Sequence, residues 1–160
     1  MSEEYKVRRA TLADADALVR HRIAMFADMG VAFDASALDR AFRVWLRETM
    51  TSGAYKAWLI ETRGGDIVGG GGMTILPWPP GPRYMGSTLA FVYNVYVEAG
   101  YRRRGLARRI MDAIHDYCRE HGINSIALNA SRDGRELYEA LGDDLAPNSM
   151  MFYSVTPATE

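Results

Sequence analysis

The sequence predicts a single domain built on a mixed α/β sheet with helices on both faces. Apolar residues at helical spacing alternate with short β-prone runs, in the order β-α-α-β-β-β-α-β-α-β. The strand–helix–strand unit over residues 88–128 requires a parallel pair, and the hairpin turns before it make the neighbouring strands antiparallel. The 160 residues suffice for one hydrophobic core, so residues 1–160 are predicted to form one domain.

Two helices are predicted after a short strand at residues 5–9. Thr11 and Asp14 resemble a capping box that begins the first helix. Ser36 is predicted as the N-cap of the second helix, and Gly53 as the residue that ends it. The apolar positions of both helices recur at a period of about 3.6 residues, so each helix is expected to bury one face.

Five more strands and two more helices complete the predicted order. The strands are expected at residues 54–62, 67–76, 88–97, 123–128 and 150–155, and the helices at residues 105–121 and 132–141. Four consecutive glycines, Gly69 to Gly72, interrupt one of these strands. Phosphate-binding glycine loops precede a helix, whereas this run continues as a strand. The run therefore predicts either a bulge or a surface against which a ligand lies.

Composition excludes several classes of protein. Hydrophobic residues make up 48% of the chain and charged residues 24%, which is typical of a globular protein. The net charge of −1 argues against a general nucleic-acid binder, and no apolar run approaches the length of a membrane span. No apolar stretch typical of a signal peptide is seen, so a cytoplasmic location is expected.

The single cysteine, Cys118, excludes an internal disulfide and a cysteine-based zinc site. It lies on the apolar face of its predicted helix and is expected to be a buried core thiol. His115 and His121 are each three residues away, which spreads the three side chains around the helix. No metal site is therefore predicted.

A cluster of arginines follows the most β-prone strand and begins the long helix. Five lie within eight residues: Arg102, Arg103, Arg104, Arg108 and Arg109. The first turn of a helix offers unpaired N–H groups and the positive end of the helix dipole, and Gly105 lets the backbone approach a phosphate closely. The pattern predicts a polyanion site, with a solvated helix start and a nucleic-acid patch as the alternatives.

Two motifs in this arrangement resemble those of a known family. Arg102-Arg103-Arg104-Gly105-Leu106-Ala107 matches the Gln/Arg-x-x-Gly-x-Gly/Ala signature of the GCN5-related N-acetyltransferases. Leu137-Tyr138-Glu139-Ala140-Leu141-Gly142 is similar to a second family motif, except that Asp143 replaces the usual Phe. The resemblance covers nearly the whole chain. It implies the acyl-CoA N-acyltransferase fold, with a largely antiparallel six- to seven-stranded sheet and splayed central parallel strands.

The resemblance also implies the co-substrate and the reaction. Acetyl-CoA would supply an acetyl group to a primary amine of a small-molecule or peptide acceptor, by direct attack and without a covalent enzyme intermediate. Backbone groups of the strand before the turn would pair with the pantetheine arm, and the turn would hold the pyrophosphate. The cofactor-binding residues so implied are Val95, Tyr96, Val97, Arg102, Arg103, Arg104, Gly105, Leu106, Ala107 and Arg108.

Two catalytic residues follow from the same resemblance. Tyr138 matches the family's general acid, which protonates the departing CoA thiolate; a core tyrosine is the simpler alternative. Asn129 stands where some members have a Glu as general base. An amide cannot take that proton, so Asn129 is expected to orient a water molecule or bind substrate. Glu98 is the nearest carboxylate to the end of the strand predicted at residues 88–97. Its simpler interpretation is a solvated turn residue.

The sequence leaves several questions open. A catalytically weak or inactive CoA-binding regulatory module of the same fold is the alternative function. The identity of the acceptor, the general base, the use of other acyl groups and the oligomeric state, including a homodimer, are not determined by the residues.

Overall fold

The computed structural model describes residues 4–129 and 134–142, which form an α/β fold with a five-stranded mixed sheet and four helices. The strands are β1 (Tyr5–Arg9), β2 (Tyr55–Thr62), β3 (Ile67–Pro77), β4 (Thr88–Val97) and β5 (Ile126–Leu128). The helices are α1 (Ala15–Asp28), α2 (Ala35–Ser52), α3 (Leu106–Glu120) and α4 (Arg135–Ala140). The chain divides after Asn129 into two compact units, of which the first contains the sheet and α1 to α3, and the second contains α4.

The strands are hydrogen-bonded in sequence order, β1-β2-β3-β4-β5. The pairs β1–β2, β2–β3 and β3–β4 are antiparallel, and β5 runs parallel to β4. This mixed arrangement confirms the predicted hairpins and the predicted parallel pair. The strand expected at residues 150–155 lies outside the described residues, so a sixth strand stays a prediction.

Helices cover both faces of the sheet, as predicted. Gly70 and Gly71 of β3 point to opposite faces because side-chain positions alternate along a strand. A Cβ at Gly70 would lie 3.8 Å from the His21 ring of α1, whereas one at Gly71 would lie 2.9 Å from Ile110 of α3. Helix α1 is therefore on one face and α3 on the other.

Each face has its own buried cluster. On the α1 and α2 face, Leu46 packs with Leu59 and neighbouring apolar residues of β2. On the α3 face, Cys118 is buried, and its sulfur lies 3.6 Å from that of Met73. Burial raises the pKa of the Cys118 thiol. The prediction of a core cysteine is confirmed.

One predicted helix boundary is wrong. Helix α2 begins at Ala35, and Asp34 rather than Ser36 is its N-cap, because the Asp34 carboxylate accepts a hydrogen bond from the Ala37 N–H at 3.0 Å. Ser36 therefore lies inside the first turn. The capping box at Thr11 is confirmed, since the Asp14 carboxylate accepts from the Thr11 N–H at 2.8 Å.

Candidate functional site

The turn between β4 and α3 exposes a run of unpaired backbone donors. Within the described part of the chain, the six N–H groups from Arg103 to Arg108 donate no hydrogen bond, and the first helical bond runs from Arg109 to the Gly105 carbonyl at 3.2 Å. Arg103 (φ 62°) and Gly105 (φ 73°) are both in the left-handed region. Successive N–H groups in such a turn, at a helix N-terminus, form a concave anion-binding surface.

Two arginines of this turn are hydrogen-bonded to other parts of the protein. Arg102 donates to Asp28 at 2.6 Å and to the Val97 carbonyl at 2.8 Å. Arg104 donates to the Tyr5 hydroxyl at 2.7 Å. These two guanidinium groups hold the turn against α1 and β1. Their predicted role as cofactor ligands stays a prediction.

Arg103 and Arg108 are different from these two. Both are exposed, and neither forms an ion pair with any residue that the structure describes. Their charges are therefore available to an anion held by the backbone donors of the same turn.

Strand β4 contains a bulge opposite the glycine run. Gly70 pairs with Tyr96 and Gly72 pairs with Tyr93, so three steps along β4 match two along β3. The extra residue lies at Asn94, which has φ 60°. The predicted bulge is thus confirmed, although the extra residue belongs to the partner strand and not to the glycine run. The glycines are instead needed for close packing, because a Cβ at Gly71 would clash with Ile110.

The side chain of the bulge residue is held from two directions. Its Nδ2 donates to the Tyr55 hydroxyl at 3.0 Å, and its Oδ1 accepts from Nη1 of Arg22. Burial raises the pKa of Tyr55 to about 12, so this hydroxyl stays protonated. Sequence reasoning missed all three residues. The available signal was Asn94 itself, since Asn is disfavoured in strands and tolerates the left-handed region.

We expect Tyr55→Phe to lower the free energy of unfolding by about 1–3 kcal/mol, because the Asn94 amide would lose a buried acceptor. Urea titration followed by circular dichroism measures the change. Tyr93→Phe is the matched control, since the Tyr93 hydroxyl bonds to no described residue. Equal stability of the two variants would contradict the prediction.

In the part of the chain that the structure describes, one edge of β4 has a partner strand over only half of its length. Strand β5 pairs with Ala90, Phe91 and Val92 only. From residue 93 to Val97, no described strand pairs with β4 on this side. The predicted pantetheine-binding residues Val95, Tyr96 and Val97 lie in this stretch. Splaying of β4 and β5 beyond it stays a prediction.

The sequence profile of the acetyltransferase (GNAT) family matches residues 22–143, which is well over half of the chain. The protein belongs to the GNAT family. No curated protein matches the sequence. A GCN5-related N-acetyltransferase from Ralstonia eutropha JMP134 is 30% identical, with 94% of this chain and 98% of that one covered and a TM-score of 0.83.

More distant acetyltransferase structures share the fold. A predicted acetyltransferase from Clostridium acetobutylicum, solved with acetyl-CoA, is 22% identical over 93% of this chain and 96% of its own, with a TM-score of 0.80. A ribosomal-protein-alanine N-acetyltransferase from Brucella melitensis biovar Abortus is 22% identical over 95% and 99%, with a TM-score of 0.70.

The two predicted catalytic residues lie in different units of this GNAT protein. Asn129 is exposed and directly follows β5. Tyr138 is on α4 and is 9% exposed. Asp143, the residue that departs from the family motif, lies outside the described residues. The roles of Asn129 and Tyr138 stay predictions.

Glu98 is bound by α1 and is not the solvated turn residue that its simpler interpretation suggested. Its Oε1 lies 3.2 Å from Nε2 of His21 and 3.2 Å from Nη2 of Arg20. His21 is 3% exposed, and burial lowers its pKa despite the contact with Glu98. The imidazole is therefore neutral near pH 7, and the pair fixes α1 to the end of β4.

We expect the neutral His21 to make stability pH-dependent. Its folded-state pKa lies below the ordinary value of 6.5, so this contribution is present above that value and is lost as the pH falls through the folded-state pKa. Urea titrations between about pH 7.5 and pH 5 should show a steeper loss for the wild type than for His21→Gln. The exposed His121→Gln variant should keep the wild-type slope, and a wild-type slope in His21→Gln would refute the assignment.

No group of three His, Cys, Asp or Glu side chains in the described ranges is arranged to hold a metal ion. None of the described helices combines the length and the apolar character needed to cross a bilayer.

Proposed function

We propose that this GNAT protein transfers an acetyl group from acetyl-CoA to a primary amine of a small-molecule or peptide acceptor by direct attack. The run of unpaired N–H groups from Arg103 to Arg108 is the observation that carries the proposal. It lies immediately beyond the part of β4 that lacks a partner strand in the described chain. Family membership supports acetyl transfer in general.

The turn suits a pyrophosphate in shape and in charge. A Cβ at Gly105 would meet no described protein atom within 4 Å, so the space beside this residue of the turn is open. The backbone from Arg103 to Arg108 would hold the phosphate oxygens, and the Arg103 and Arg108 guanidinium groups would add positive charge. When bound, acetyl-CoA supplies the activated acyl group.

The bulge is assigned to the acyl end of the site. A β-bulge locally disrupts the ladder, and Asn94 and Val95 are the residues of β4 without a register partner in β3. Negative charge develops on the acyl oxygen as the amine attacks, and a fixed N–H group stabilises it. The C–N bond forms, the C–S bond breaks, and the amine's proton passes to a water molecule.

Side chains of the protein assist the proton transfers in this proposal. Tyr138 donates a proton to the departing thiolate and is reprotonated from solvent, and Asn129 orients a water molecule or the acceptor. No acyl-enzyme is required. Cys118 is buried in the core with a raised pKa, which makes it a poor nucleophile.

An acceptor panel tests the proposal. The protein is incubated with acetyl-CoA and with aminoglycosides, polyamines, amino acids or peptides, and free thiol and acetylated product are measured together. Amine-dependent release of thiol with matching product supports the proposal. Tight CoA binding without transfer to any acceptor would favour the regulatory module, and absence of CoA binding would overturn both.

A further inference from the structure

Arg22 is a half-buried cation without a carboxylate partner in residues 4–129 and 134–142. Its environment differs from that of other partly buried arginines of the chain. Arg8, for example, contacts both Asp14 and Glu61. A charge removed from water without a counter-ion is costly, so an unpaired guanidinium at this depth calls for an explanation.

The surroundings of Arg22 are aromatic and amide groups. Its guanidinium carbon lies 5.0 Å from the ring centres of Phe26 and Phe42, and Nη1 donates to Asn94. Burial lowers the pKa of Arg22, although a guanidinium remains protonated in proteins. Cation–π contacts and one neutral hydrogen bond leave its charge without a counter-ion among the described residues.

Part of the guanidinium is available to a ligand. Nε and Nη2 donate to no described residue, and neither is among the side-chain atoms sealed from solvent without a partner. Two N–H-bearing nitrogens on one edge of a planar guanidinium match the two oxygens of a carboxylate or phosphate. The Arg22 side chain that carries this edge also contacts the bulge residue Asn94. The proposed function places the acyl group at this bulge.

We propose that Arg22 binds an anionic group, a carboxylate or a phosphate, that is carried by the amine acceptor. The inference rests on the proposed function and narrows its acceptor class to amines that also bear a negative charge. A fixed positive charge beside the acyl position would attract such acceptors and repel polycations such as polyamines.

Matched acceptor pairs test this inference. Each pair differs only in the anion: an α-amino acid against its carboxamide, and O-phosphoethanolamine against ethanolamine. The wild type should have the higher kcat/KM for the anionic member of at least one pair, and which pair responds distinguishes carboxylate from phosphate. Equal use of both members in both pairs would overturn the inference while leaving the proposed function intact.

Arg22→Gln removes the charge but keeps an N–H donor for Asn94. We expect its kcat/KM for the preferred anionic acceptor to fall on the order of 10²-fold, mainly through KM, with a change below about threefold for the neutral partner. Equal losses for both members would show that Arg22 only holds the bulge. Arg20→Gln, on the same helix, is the control that should keep the wild-type preference. Arg22→Lys, which retains the charge, should keep part of the preference and serves if Arg22→Gln fails to fold.

A binding measurement decides the inference without turnover. N-acetylglycine and N-acetylglycinamide, and O-phosphoethanolamine and ethanolamine, are titrated by NMR into CoA-saturated wild type and Arg22→Gln or Arg22→Lys. Tighter binding of one anionic probe to the wild type, weakened in the variant, supports the inference. Equal affinities within both pairs would overturn it, even if the acceptor panel had shown CoA binding without acetyl transfer.

Discussion

Gly105→Asp should weaken CoA binding by on the order of 10²-fold or more, and Gly105→Asn should weaken it far less. Both residues tolerate the left-handed conformation that Gly105 adopts, and they differ only in charge. The aspartate would add a negative charge to the turn that carries the unpaired N–H groups, and this charge would oppose the binding of a pyrophosphate.

Calorimetric titration with CoA measures the difference between the Gly105 variants, and circular dichroism checks that each is folded. The asparagine variant separates the effect of charge from any effect of a side chain at a left-handed position. If Gly105→Asp binds CoA with the wild-type affinity, the turn is not part of the cofactor site. The proposed function would then lose its main support.

Tyr138→Phe should lower kcat on the order of 10²-fold, within the usual range for one acid–base group. Phenylalanine keeps the ring of this largely buried residue and removes only the hydroxyl. The affinity for CoA should change little, because the turn from Arg103 to Arg108 is untouched. Single-turnover kinetics with a saturating acceptor measure the chemical step.

Asn129→Ala is the contrasting variant. It should raise the acceptor's KM more than it lowers kcat if Asn129 positions substrate or water. A normal single-turnover rate in Tyr138→Phe would leave Tyr138 as a packing residue, and the thiolate would then take its proton from solvent or from the amine.

Most helices and strands could be predicted because their signals are local. The β-prone composition of a few residues predicts the ends of β4, and Gly105 predicts the start of α3. The predicted N-cap of α2 was wrong because Asp34 and Ser36 are both residue types that favour this position. Only the backbone conformation decides which of them accepts the hydrogen bond.

The candidate site was predictable in part. The turn was found because its donors and charges are adjacent in sequence. The hydrogen bond between Arg102 and Asp28 could not be predicted, since the two residues are 74 positions apart in the sequence. The contact between Arg22 and Asn94 spans 72 residues and was missed for the same reason. Pairing across such distances depends on the packing of α1 against the sheet, which periodicity does not reveal.

Helix α1 has contacts at both ends of the proposed site. Arg22 binds the bulge residue Asn94, and Asp28, six residues further along the helix, binds Arg102 of the turn. These positions are about 9 Å apart on one rigid helix. Any displacement of α1 on occupancy of the turn would therefore also move Arg22 relative to the bulge. By thermodynamic linkage, whatever factor CoA imposes on acceptor affinity, the acceptor imposes equally on the affinity for CoA.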